Sequence, residues 1–234
     1  GSLRQSDIPD RDSTRVSALL QVVPLPQLSF NASASRGTEE RPAPAFGLRD
    51  NDNHAFSFGL DVVPVDAISI GLTYGYEKYT AIQASRQANP PPSPQFTDPT
   101  RDWTTDSSDN THTFTASADL LKLLPKTEIR FGYDRSDARS VFVYGLAPNA
   151  SLVTPIQLPA VENDFERATA NVRYLLTPKV AIGIGYWYDR YSVKDFALGR
   201  ETLTRLDFPA LLTMGSLYRP YTASSLWARM TYLW

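Results

Sequence analysis

Residues 54–79 read HAFSFGLDVVPVDAISIGLTYGYEKY and alternate in polarity on both sides of a proline. Phe56, Phe58, Leu60 and Val62 fall on one side, with Ser57, Gly59 and Asp61 on the other. Beyond Pro64 the pattern resumes: Ile68, Ile70, Leu72, Tyr74 and Tyr76 stand against Ser69, Gly71, Thr73, Gly75 and Glu77. A period of two is the geometry of a β-strand, so this stretch predicts a hairpin with one apolar face and one small, polar face. The fold then turns on which solvent the apolar face meets, a protein core or lipid.

The alternation recurs along the chain. Val16 to Val22 and Leu28 to Ala34 flank Pro24-Leu25-Pro26. Phe114 to Leu120 and Ile129 to Tyr133 flank Pro125, while Ala168 to Tyr174 and Val180 to Tyr188 flank Pro178. A last pair is expected to turn at Arg219-Pro220 and to end with Leu226, Ala228, Met230, Tyr232 and Trp234 on one face. This predicts about ten strands in five hairpins. Two hairpins also look alike: His54 and His112 each precede a Phe by two residues and an Asp by seven. The connections differ by end. Tight turns are expected at Pro24, Pro64, Pro125, Pro178 and Pro220, and long polar loops over 37–53, 81–110, 137–162 and 192–207. The proline run over 89–94 is expected to be extended and without secondary structure.

Length and polarity decide the solvent. Alternating runs of about nine to twelve residues match a tilted bilayer crossing, whereas strands of soluble sheets average about five or six. The polar side is mostly Ser, Thr, Gly, Asn and Ala, where a water-exposed face would carry Lys and Glu. Aromatic residues gather towards strand ends, as in membrane interfaces; the expected girdle is Tyr74, Tyr76, Tyr186, Tyr188, Tyr218, Tyr232 and Trp234. No apolar run approaches the ~18 residues of a membrane helix. A mean hydropathy of −0.29 is no obstacle, because alternation hides strand hydrophobicity from averaging. The expected fold is therefore all-β, an antiparallel up-and-down transmembrane β-barrel. Residues 1–234 form a single domain, with 1–12 as a flexible lead-in, placed in a bacterial outer membrane with the lipid bilayer as its first partner.

Composition removes other classes. The 234 residues contain no cysteine, which excludes disulfides, thiolate metal sites and C-x-x-C-H haem attachment. A net charge of −2 gives no electrostatic case for nucleic acid. No basic-then-apolar leader opens the chain, so any secretion signal is expected to have been removed.

The passage Arg101-Asp102-Trp103-Thr104-Thr105-Asp106-Ser107-Ser108-Asp109-Asn110-Thr111-His112-Thr113 resembles a recurring segment of the decahaem-associated outer-membrane barrels of the MtrB/PioB type. Tyr76-Glu77-Lys78-Tyr79, the proline-marked turns and the Thr231-Tyr232-Leu233-Trp234 ending are similar too. The resemblance implies an insulating sheath around a multihaem cytochrome that carries electrons across the outer membrane. It covers only a C-terminal portion of such proteins, which are longer, have many more strands and often carry a cysteine pair absent here. Ten strands would close around an interior that side chains nearly fill, too narrow for a decahaem partner. The chain is therefore either a piece of a larger sheath or a small relative that closes on itself.

The leading function is a porin-like scaffold or sheath related to electron conduits, and not an enzyme. The alternatives are a small passive pore and an outer-membrane hydrolase using Asp and His at the rim. Only His54 and His112 exist, each near acids (Asp50 and Asp52; Asp106 and Asp109). The duplicated setting favours a structural role over a catalytic one, and a general base needs a partner that spacing alone does not supply. The acidic stretches lack the spaced ligands of a calcium loop. No cofactor, metal or catalytic residue is assigned. The lumen-facing charges are expected to be Asp61, Asp119, Glu128, Arg130, Arg173 and Arg229. Each must be paired or hydrated, because an isolated buried charge is too costly.

Overall fold

The computed structural model describes residues 10–42, 45–89, 92–154, 157–195 and 220–232. Within them the chain forms one sheet of nine antiparallel strands, each hydrogen-bonded to its neighbour in sequence. The strands are β1 (Asp12–Leu25), β2 (Leu28–Glu40), β3 (Gly47–Val65), β4 (Ile68–Arg86), β5 (Asp102–Leu124), β6 (Thr127–Leu146), β7 (Val161–Thr177), β8 (Val180–Lys194) and β9 (Tyr221–Tyr232). The only helical pieces among the described residues are 3₁₀ turns at Pro94–Thr97 and Pro99–Arg101. The first begins inside the segment expected to be extended. Ser93 and Asp98 cap these turns, because their side-chain oxygens accept from the backbone N–H two residues on.

Four connections are tight, two-residue turns: Pro26-Gln27, Asp66-Ala67, Pro125-Lys126 and Pro178-Lys179. Each follows a shift in register: Val22/Leu25, Val62/Val65, Leu121/Leu124 and Leu175/Thr177. Pro24 and Pro64 therefore sit in these irregular steps rather than in the turns. A missing N–H costs little there, because the ladder is already broken. At Pro125-Lys126 the lysine takes φ 60°, the left-handed conformation that closes a turn with proline before it.

The strands run well past the ends of the polarity pattern. β2 continues to Glu40 and β3 starts at Gly47, inside the expected loop 37–53. β4 reaches Arg86 and β5 starts at Asp102, inside 81–110. β6 reaches Leu146 and β7 starts at Val161, inside 137–162. The reason is physical. Alternation is lost where the apolar face leaves lipid, but the backbone ladder does not need it. Paired strands rich in Ser, Thr, Asn and Asp continue into water, with each N–H and C=O still satisfied.

The last hairpin differs from the expected one. β9 pairs directly with β8, Tyr221 opposite Tyr191 and Tyr232 opposite Val180. Pro220 thus stands at the long-loop end of the sheet, and among the described residues β9 follows β8 directly in the ladder. The expected strand between them would fall in 196–219, outside the described residues. β9 ends beside Val180, at the end that carries the tight turns.

The sheet has no core of its own. Phe58 is 44% exposed, Ile70 37%, Phe131 48% and Ile184 54%, and among the described residues no large side chain is fully buried. They do not gather into a dry interior; they share one face of one sheet. Register places them in a continuous belt. Phe30, Leu60, Leu72, Ala116, Tyr133, Ala168, Tyr188 and their neighbours two residues away are laid side by side across β2 to β8. About nine residues at ~3.3 Å each, tilted by about 40°, span a band on the order of 20–25 Å tall, the height of an outer-membrane barrel's apolar belt. A charge at mid-belt is expected to cost about 2–4 kcal/mol. Ile184→Arg should therefore lower the free energy of urea unfolding from vesicles by that amount. Thr115→Arg, on the opposite face, should shift it by under ~1 kcal/mol; equal effects would mean that lipid does not touch the Ile184 side.

Candidate functional site

The chemistry lies on the face opposite the apolar belt. Two rows near the tight-turn end hold the charges read from the sequence. One runs Asp119, Arg130, Asn171, Gly185 and Trp227 across β5 to β9, each residue opposite the next. The other runs Glu128, Arg173, Gly183 and Arg229 across β6 to β9. All six candidates, Asp61 included, thus share the polar face. Arg173 donates to Glu128 at 3.3 and 3.4 Å, Arg130 lies 4.0 Å from Asp119, and the Ser29 hydroxyl donates to Asp61 at 3.5 Å. Arg229 meets the Trp227 ring at 5.8 Å and, among the described residues, no carboxylate within ion-pair distance. Glycines keep this wall flat. A Cβ at Gly185 would collide with the Trp227 ring, which lies over the strand there.

A stronger pair lies nearer the long-loop end and was not singled out from the sequence. The Arg167 guanidinium grips Asp189 with two hydrogen bonds of 2.7 and 2.9 Å, and Asp189 is only 4% exposed. Both residues stand on the polar side of their alternations. The tight turn after Thr177 sets them opposite each other, so counting back from Pro178 finds the pair.

The two histidines lie on the apolar side, not among the polar-face charges. His54 Nε2 is 2.8 Å from Asp52 Oδ1, which also receives Arg36 at 2.9 Å through its other oxygen. His112 shares a 2.8 Å hydrogen bond with the Tyr74 hydroxyl and packs at 4.9 Å on the Tyr76 ring. Both sit where the belt gives way to charge, on β3 and β5, and β4 runs between them. The two stretches that carry the family resemblance are themselves partners: Tyr76 to Tyr79 pair with His112 to Asp109, and the Tyr76 hydroxyl donates to Asn110 at 3.0 Å. Among the described residues no group of three or more His, Cys, Asp or Glu could hold a metal ion.

Tyr74, Tyr76, Tyr186 and Tyr188 project from the apolar face at its long-loop edge, with Tyr133 in the same region. Tyr232 lies at the tight-turn edge. Tyr218 and Trp234 are outside the described residues. Trp187, also among the strand-end aromatics, has the other parity and stands on the polar face beside Thr169.

Above the belt, beyond Tyr133, the apolar face becomes ionic. Arg135 chelates Asp137 at 2.9–3.2 Å, and Lys194 donates to Glu162 at 2.8 Å. The Arg135 guanidinium holds the Asp137 carboxyl below its ordinary value. Asp164, directly opposite Asp137, is pushed up, first by burial and then by that neighbour.

Two outcomes are expected. Arg167→Ala strands the Asp189 carboxylate and should cost about 2 kcal/mol in urea unfolding, the half-exposed guanidinium keeping the figure modest. Asp164→Asn should stabilise by a few tenths of a kcal/mol at neutral pH by removing a like-charge cross-strand pair. Because the folded chain raises the Asp164 pKa, its penalty grows as pH rises from the unfolded value. The gain should therefore vanish below about pH 4, where the unmodified side chain is neutral in both states.

Comparison with known proteins agrees with this geometry. Among curated proteins no sequence matches. Among solved structures the sheet is similar to "Copper transporter OprC", with a TM-score of 0.61, 13% identity, and coverage of 95% of this chain and 33% of that one. It is also similar to the ferric yersiniabactin uptake receptor FyuA from Yersinia pestis, with a TM-score of 0.50, 12% identity, and coverage of 94% and 34%. At such identities the likeness is one of fold alone, and the chain spans about a third of the length of either structure. The family model described as "Putative outer membrane beta-barrel porin, MtrB/PioB" matches residues 1–234. The chain, with lipid-facing strands and a small, polar opposite face, belongs to the MtrB/PioB family of bacterial outer-membrane β-barrels.

Proposed function

We propose that these strands form part of the wall of a porin-like barrel that sheaths a multihaem cytochrome and insulates it from lipid. The polar face, with Asp61, Asp119, Glu128, Arg130, Arg173 and Arg229, would line the lumen, and the tyrosines at the belt edges would form the girdle. One observation supports this most. The nine strands form an open sheet, whose outer edges on β1 and β9 have no strand partner among the described residues. In hydrocarbon such edges are untenable, so both must be paired in the membrane. Pairing with further strands yields a barrel wide enough for a protein partner; pairing β1 with β9 leaves a lumen that side chains nearly fill.

The connections favour an ordinary orientation. Among the described residues, the four tight turns share one end with the end of β9, and the longer connections share the other. Short turns towards the periplasm and long loops outward is the usual arrangement of outer-membrane barrels.

The test is co-expression of the intact protein with a decahaem cytochrome, followed by solubilisation and purification through a tag on the barrel. Haem absorbance is expected to co-elute with the barrel and to survive high salt. A barrel that inserts, resists proteolysis and never retains haem would overturn the sheath. Conductance of that haem-free barrel in a planar bilayer would point to a passive pore.

A further inference from the structure

The rows on the polar face frame a depression of about 330 Å³ near the tight-turn end. Its floor is Gly183. A Cβ there would touch only backbone oxygens, Val172 O at 3.6 Å and Arg229 O at 3.8 Å, so no side chain fills the space above it. Arg173 and Arg229 flank this bare spot on the two neighbouring strands. They lie one inter-strand spacing away on either side, about 4.8 Å each. Arg130 stands on the next strand beyond Arg173, one row along, and Trp227 forms a side wall. Asp119 and Glu128 are the carboxylates that face these guanidiniums, so three positive charges meet two negative ones. Arg229 has no carboxylate within ion-pair distance among the described residues; its cation rests on an indole.

The wider wall is polarised in the same sense. The polar face of β3 to β5 bears Asp61, Glu77, Asp109 and Asp119, and among the described residues in register no Lys or Arg. All four arginines in register on the polar face of β6 to β9 (Arg130, Arg167, Arg173 and Arg229) are on the far side of that acidic stretch, where Glu128, Asp134 and Asp189 offset three of them and leave that flank one charge positive. An anion in the lumen is repelled by one flank and drawn to the other.

We infer that Gly183, with Arg173, Arg229 and Arg130 around it, is a binding station for the oxyanion of a water-soluble solute, a phosphate or carboxylate group. The planar guanidinium fork matches both shapes, and the glycine floor lets the anion approach the wall between two such forks. The inference rests on the polar face being the water-filled one, a premise tested by the same measurement.

Trp227 reports on the site from within it. In the intact protein carrying Trp103→Phe, Trp187→Phe and Trp234→Phe, Trp227 is the remaining tryptophan of this chain's four; any tryptophans elsewhere in the protein are likewise replaced by phenylalanine. Its quenching by iodide and by neutral acrylamide is compared in vesicles at low, matched ionic strength. A unit charge 5.8 Å away in water changes local anion concentration about threefold. The iodide-to-acrylamide ratio should therefore fall about threefold when inorganic phosphate or acetate occupies the site, with chloride at equal ionic strength having less effect. Arg229→Gln should lower it similarly without the added anion and Arg173→Gln, two strands from Trp227, in the same direction by less, and the anion titration needs no arginine variant if either fails to fold. A ratio unmoved by phosphate, acetate and both substitutions, with acrylamide still effective, would sink the station but leave the aqueous face standing. Quenching of Trp227 by brominated acyl chains but not by acrylamide would remove the aqueous face itself.

Discussion

Everything in this structure depends on the pairing of backbone groups in a medium that offers no alternative partner. A peptide N–H or C=O left open in hydrocarbon costs several kcal/mol, so a lipid-crossing β-segment must be bonded on both sides over its whole depth. Nine consecutive antiparallel strands, out of step only beside the tight turns and at Leu48/Asp50, meet that demand across the belt everywhere but at two edges. Side chains then sort by solvent, not by burial in a core. Their period of two turns the sheet into a partition, with Phe58, Ile70, Phe131 and Ile184 on one side and glycines, hydroxyls and paired charges on the other.

The two faces work under different rules. On the lipid side, volume matters little because acyl chains fill any gap, and Phe beside Ala is as acceptable as Ile beside Val. On the polar side, side chains crowd each other across strands. Small residues there are positional requirements: Gly185 exists under the Trp227 ring, and Ser33 and Ser57 bring their hydroxyls to 2.7 Å. Charges on this side are held by geometry as well as attraction. The bidentate Arg167–Asp189 pair shows how a nearly buried carboxylate is kept ionised by a guanidinium from the next strand.

The sequence made the partition legible but not its extent. Alternation marks a strand only while its two faces meet different solvents, so it located the belt on every strand and fell silent where β5 runs through Asp106, Ser107, Ser108 and Asp109. Those residues form strand because β4 and β6 pair with them, a tertiary cause invisible to a local pattern. Proline misled in two ways. Pro24 and Pro64 mark irregular steps just before the turns, and Pro220 stands at the opposite end of the sheet from the four described turns. That the six charges share one face follows from parity alone. Their arrangement around a glycine floor does not, since it depends on register across four strands, which only the turn geometry fixes.

Register also explains why a charged wall is compatible with a stable sheet. Asp119 opposite Arg130, Glu128 opposite Arg173 and Arg167 opposite Asp189 place unlike charges in directly facing positions, where attraction is greatest. A slip of one residue between β6 and β7 would separate Glu128 from Arg173 and would also drive Phe131 into the polar face. Electrostatics on one side and lipid exclusion on the other thus reject the same errors. Arg229 stands apart from this logic, on the last described strand and with an indole for a neighbour. A cation with no carboxylate partner among the described residues adds nothing to the register. The cross-strand ion pairs that hold this wall in step do not account for it.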